Sequence, residues 1–127
     1  MTHIDLGDAG TQKPDALISL AEAAWPLYRE VSLLAPFGVG NPKPVFQISQ
    51  TIVTSVRRFG KDMSHIELSL ECRKTGARAR AFDFFKSAES FSHAPASGAE
   101  ARILATIERD SFRGGIALRL ADVMPAE

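Results

Sequence analysis

Ala35-Pro36-Phe37-Gly38-Val39-Gly40-Asn41-Pro42-Lys43-Pro44-Val45-Phe46 separates two different sequence patterns. Its three prolines and two glycines can neither continue a helix nor sit inside a central strand. Each proline fixes its own φ and pushes the preceding residue towards extended geometry, and each glycine takes positive φ at little cost. The composition is unlike that of a flexible Gly-Ser linker. Residues 36–45 therefore read as a stiff elbow. Apolar residues recur at helical spacing before it and alternate after it.

Upstream, residues 1–13 are polar and read as a loose leader. Pro14 and Asp15 suit a helix start, with an acid near the positive end of the helix dipole. Leu17, Leu20, Ala21 and Ala24 then follow the spacing of one apolar helix face, and Leu27, Tyr28, Val31 and Leu34 resume it after Pro26. The spacing predicts a helical lead-in over 14–35, either two short helices or one helix kinked at Trp25-Pro26. Downstream, Phe46, Ile48, Ile52 and Val56 share one parity, which predicts a long strand ending near Phe59-Gly60. Ile66, Leu68, Leu70 and Cys72 alternate with His65, Glu67, Ser69 and Glu71 in a half-buried strand. Lys74-Thr75-Gly76 turns the chain into a third strand over 77–85. There Ala77, Ala79 and Ala81 lie on one face and Arg78, Arg80, Phe82 and Phe84 on the other. A Ser/Ala/Pro/Gly-rich connection over 86–99 leads to strands at 101–109 and 116–121, joined by a turn at 110–115.

Five strands with a longer connection between the third and fourth predict a mainly β fold. Its expected form is a five-stranded antiparallel OB-like barrel over 46–127, preceded by one or two N-terminal helices. Closure is the simplest way for such a sequence to cover its sheet edges. An open sandwich is the alternative.

The 127 residues amount to one domain, 45% hydrophobic and 24% charged. Fifteen basic and fifteen acidic side chains cancel. Their distribution is uneven: residues 57–86 carry a net charge of +4, and the segments on either side carry −2 each. A basic middle on a neutral chain points to an anionic ligand, with an ordinary solvated face as the alternative. Cys72, the single cysteine, excludes a disulfide framework and a thiolate metal cluster, and its place in an alternating strand makes it a core residue. His3, His65 and His93 are far apart, without metal-ligand spacing, and read as surface residues. No apolar run is long enough to span a membrane and no signal-peptide core is present, so a cytoplasmic location is expected.

The elbow, with Leu34 before it, resembles the PFGxGNPxPxF signature of RecJ-type single-strand-specific 5′-exonucleases. In that family the signature joins the nuclease core to a C-terminal OB domain. The last hairpin is a weaker match. The family often has Asn-Glu-aromatic-x-Gly followed by a strand ending in Lys-Asp-Ile, where this chain has Asp110-Ser111-Phe112-Arg113-Gly114 and Ala121-Asp122-Val123. The resemblance implies an isolated C-terminal domain of such an exonuclease. The family's nuclease core is a DHH core that uses Mn²⁺ or Mg²⁺. This chain has no Asp-His-His motif, so no cofactor and no cleavage are expected of it alone.

Non-specific single-strand binding needs cations along the phosphates and flat side chains under the bases. Arg78, Arg80 and Phe82 on the third strand, with Arg57, Arg58 and Lys61 at the end of the first, supply both. OB barrels commonly bind across strands two and three and the loops flanking them, which takes in these positions. Lys43, Arg113 and Arg119 are second-line candidates. The competing reading of Phe82 and Phe84 is burial in the core. Expected partners are single-stranded DNA, the nuclease core of the same parent protein and other DNA repair proteins. A docking module that packs on that core or on a repair protein, with little DNA contact, is the second hypothesis.

Overall fold

The computed structural model describes residues 13–111 and 113–126. The expected leader at 1–13 therefore lies almost wholly outside the described residues, as does Phe112. Six strands follow in order: β1 (Ala16–Ile18), β2 (Phe46–Phe59), β3 (His65–Cys72), β4 (Arg78–Asp83), β5 (Glu100–Arg109) and β6 (Ile116–Pro125). One helix, α1 (Trp25–Ser32), lies before the elbow. Hydrogen bonding runs β2-β3-β4-β6-β5 and returns to β2, so five strands close on themselves. Closure removes the sheet edges and rules out the open sandwich.

The expected antiparallel OB-like barrel is present, with one departure: one pair of the ring is parallel. β4 and β6 run parallel, with Ala81 beside Leu118 and Phe82 beside Arg119. A closed ring with an odd number of strands cannot alternate direction at every step, so closure itself requires one parallel pair. β1 adds a second parallel contact outside the ring, pairing Ala16, Leu17 and Ile18 with Phe46, Gln47 and Ile48.

That pairing also corrects the helical reading of the first part of the lead-in. Asp15 N–H donates to Val45 O (2.7 Å), and Val45 N–H donates to Asp15 Oδ2 (2.8 Å). The segment is thereby tied to the exit of the elbow as an added strand. A tertiary partner overrides the weak local preference of a short segment. Leu17 is left exposed, and Leu20 enters the core from a single 3₁₀ turn at Leu20–Glu22. Pro26 lies in the first turn of α1 and does not kink it, because a missing N–H costs nothing there. Val31, with Leu27 and Tyr28, packs on the core. The elbow closes on itself: Gly38 and Asn41 exchange N–H···O bonds of 2.9 Å in each direction, with Gly40 at φ 88°. Asn41 Nδ2 donates to Leu34 O and Pro36 O, both at 2.8 Å. The amide thus fixes the turn from inside, and Phe37 packs against the core.

β2 keeps one parity only in part. It pairs with β5 over its first half and with β3 over its second, and the register shifts between Ile48 and Thr51 and again between Val53 and Ser55. Gln50 sits at φ 57° in the first bulge. Each extra residue turns the following side chains to the other face. Phe46 and Ile48 point inward as expected, but Val53 replaces Ile52 as the fully buried residue. The same device lets one strand bend around the barrel. β3 alternates as read: Ile66, Leu68, Leu70 and Cys72 are all buried. They meet Ala81 from β4, Ile103, Ala105 and Ile107 from β5, and Leu118, Leu120 and Val123 from β6. A bulge opposite Leu104/Ala105 carries β6 past its expected end to Pro125.

Candidate nucleic-acid interface

With the alanines of β4 facing inward, Arg78, Arg80, Phe82 and Phe84 occupy the outer face, and the core reading of the two phenylalanines does not hold. Phe82 is half-buried and Phe84 exposed. They belong to a chain of rings. Phe82 meets Phe84 at 5.4 Å between centroids, Phe84 meets His65 at 5.1 Å, and His65 meets Phe85 at 4.8 Å. Phe59 from β2 joins at 5.2 Å from His65 and 6.3 Å from Phe84. Most of these contacts are edge-to-face, the preferred arrangement for ring quadrupoles.

His65 holds this cluster together and is not the solvated residue expected. Its Nδ1 accepts the Phe85 N–H at 3.0 Å. Phe85 has φ 56° and is 80% exposed, an unusual backbone state for a bulky side chain. Beneath the imidazole lies Gly60, at φ 94°. A Cβ there would stand 2.4 Å from His65 Cδ2, so both the turn geometry and the ring require glycine. His93 is exposed, and its N–H donates to Val123 O. His3 lies outside the described residues.

Beside the rings is a groove of about 380 Å³ whose lining includes Arg57, Arg80 and Arg113 together with Phe59, Phe82 and Phe84. Glu67 of β3 lies among the arginines with its side chain only 9% exposed. Its Oε1 accepts both Nε (2.9 Å) and a terminal nitrogen (2.7 Å) of Arg57. Its Oε2 accepts Arg80 at 3.1 Å and Arg113 at 3.2 Å. Arg80 also pairs with Asp110 at the start of the β5–β6 turn. Burial alone would raise the Glu67 pKa. The hydrogen bonds from Arg57 and Arg80 and the charges of Arg57 and Arg113 outweigh it and hold the carboxyl below its ordinary value. Arg57 lies over the Phe59 ring at 5.5 Å, and Arg119 lies over Phe84 at 5.0 Å while binding Asp83 at 3.1 Å.

Of the six residues singled out from sequence, the structure brings three, Arg57, Arg80 and Phe82, into this groove. Arg78 lies outside it, 81% exposed and paired with Glu71 at 3.2 Å, in a shallower depression that shares Arg80. Arg58 and Lys61 are exposed and do not line the groove. Among the second-line residues Arg113 lines it, while Lys43 is paired with Glu108 at 3.0 Å. Sequence reading missed Glu67, Asp110, His65 and Phe85. The outer parity of β3 marks Glu67 and His65 as outward-facing, but nothing local indicates what they touch.

A closed five-stranded barrel in this order, with an aromatic and arginine-lined groove on its β3–β4 face, defines an OB-fold protein. The groove is flanked by the β2–β3 and β5–β6 connections, where OB folds carry their binding loops. The RecJ OB domain model matches residues 14–121, and the chain belongs to that family. No curated protein matches the chain. Among the described residues, no group of three or more His, Cys, Asp or Glu side chains could hold a metal ion, and no helix is long and apolar enough to cross a membrane.

Proposed function

We propose that this chain is the single-stranded-DNA-binding OB domain of a RecJ-like 5′–3′ exonuclease, working in cytoplasmic DNA repair and recombination. It positions the strand for a nuclease core outside this chain. The observation that carries the reading is the placement of Phe82, Phe84 and Phe59 beside Arg57, Arg80 and Arg113 in one groove on the face that OB folds use. Bases stack on the rings and phosphates meet the guanidinium groups. This combination binds without sequence preference, because every base has a flat face. Arg58, Lys61 and Arg78, outside the groove, extend the cationic path. The Mn²⁺ or Mg²⁺ chemistry belongs to the nuclease core, and the isolated domain does not cleave DNA.

Fluorescence anisotropy with labelled oligonucleotides over a salt series tests this. Phosphate contacts give an affinity that falls steeply with salt, by roughly 0.7 in log–log slope per contact on a single strand. Arg80→Ala should weaken binding to all sequences and flatten that slope. Equal binding by the variant and the parent would remove the groove as the track. A second reading is favoured by a separate observation: Leu33, Leu34 and Val39, at the end of α1 and on the elbow, are exposed apolar residues. They suit docking on the nuclease core or another repair protein. Loss of core binding in a Leu33→Asp variant, with oligonucleotide binding intact, would assign that role to the elbow.

A further inference from the structure

Three guanidinium groups from three separate segments converge on the Glu67 carboxylate: Arg57 from β2, Arg80 from β4 and Arg113 from the β5–β6 turn. Planar arginine forks matched to an oxyanion are also the arrangement by which proteins hold phosphate. We propose that Glu67 is a resident anion, occupying the donors that a strand phosphate takes and setting the affinity for single-stranded nucleic acid low. The inference rests on the nucleic-acid reading of this groove and concerns how that site is tuned.

Each of the three arginine segments has a second hold besides Glu67. Arg80 pairs with Asp110, and Arg57 lies over the Phe59 ring. Asp110 Oδ1 accepts the Arg113 backbone N–H at 3.0 Å and so fixes the root of the third arginine. A phosphate entering the groove must replace the carboxylate at the guanidinium groups and also approach its negative charge across a partly buried, poorly screened gap. Removing that charge while keeping the shape should therefore favour binding. The opposite follows if Glu67 merely orients the arginines.

The test compares binding of a fluorescent oligothymidylate by the parent, Glu67→Gln, Glu67→Asp and Arg80→Ala over a salt series. Glu71→Gln serves as control, because it removes the same charge from the same face of β3 beside the exposed Arg78. Glu67→Gln should bind about ten-fold tighter at low salt, with a slope steeper by roughly 0.7 to 1. Glu71→Gln should stay within about two-fold of the parent, since its pair is exposed and screened. Glu67→Asp keeps the charge and should behave as the parent. Glu67→Gln binding no more tightly than Glu71→Gln overturns the proposal, provided Arg80→Ala still weakens binding. If Arg80→Ala binds as the parent does, or no protein binds at all, the nucleic-acid reading of the groove falls first and takes this proposal with it. Circular-dichroism melts establish folding. If Glu67→Gln does not fold, Glu67→Thr carries the test, because it removes the same charge with a side chain suited to a strand. About three-fold tighter binding is expected of it, and unchanged or weaker binding overturns the proposal.

Discussion

Arg78 and Arg80 stand two residues apart on one face of one strand, yet replacing each with alanine should have different consequences for stability. Arg78 is 81% exposed and pairs with Glu71, itself about a third exposed. Such a pair contributes about 0.2–1 kcal/mol. Arg80 is 24% exposed and bridges two nearly buried carboxylates, Glu67 and Asp110. Deleting one partner of a buried pair costs about 3–5 kcal/mol when the remaining charge is stranded. Glu67 keeps Arg57 and Arg113, so the stranding is partial and a cost of about 1–2 kcal/mol is expected. Urea denaturation of the two single variants measures this directly. The midpoint should fall clearly for Arg80→Ala and hardly move for Arg78→Ala, with the same m-value in both. Equal midpoints would mean that the Glu67 cluster adds nothing to folding and that burial has been given too much weight. The oligonucleotide slope is read on the same samples, so loss of binding can be separated from loss of structure.

Three further outcomes are expected. Gly60→Ala places a Cβ at positive φ against His65 and should cost about 1–2 kcal/mol, lowering the melting temperature by roughly 5 °C or more; an unchanged melt would refute the contact. Glu67, whose folded pKa is depressed, contributes stability that is present above its unfolded value and lost as pH falls through its folded value. A thermal-melt series from neutral pH into the acid range should therefore show a shallower acid decline for Glu67→Gln than for the parent, and parallel declines would exclude the linkage. Phe84→Ala should reduce oligonucleotide affinity by about 1–3 kcal/mol if a base stacks there. In urea denaturation it should cost less than the 3–5 kcal/mol of a core phenylalanine, and a cost in that range would make it a packing residue.

The parts of this fold that were legible from sequence are those governed by local periodicity. β3 and β4 alternate without interruption, so their inner and outer faces follow directly, and the outer face of β4 carries the site. β2 was legible in extent and not in register, because its two bulges shift parity without a sequence mark at either. The β1 segment carries a helical spacing through Leu17, Leu20, Ala21 and Ala24, and a strand of three residues, tied to its neighbour by tertiary hydrogen bonds, is too short to show an alternation against it. The parallel β4–β6 pair is different: it was available in principle once five strands were expected to close, since an odd ring cannot alternate throughout. The charge of the site was the least legible feature. The net +4 of residues 57–86 includes Glu67 but not Asp110, which enters the groove from a turn 30 residues beyond Arg80. Three arginines reach Glu67 from 10, 13 and 46 positions away. A linear charge count reads those arginines as available to a ligand, whereas the folded chain gives each a carboxylate already. Any polyanion meeting this face therefore competes with the protein's own acids, and its affinity depends on that exchange more than on the number of arginines.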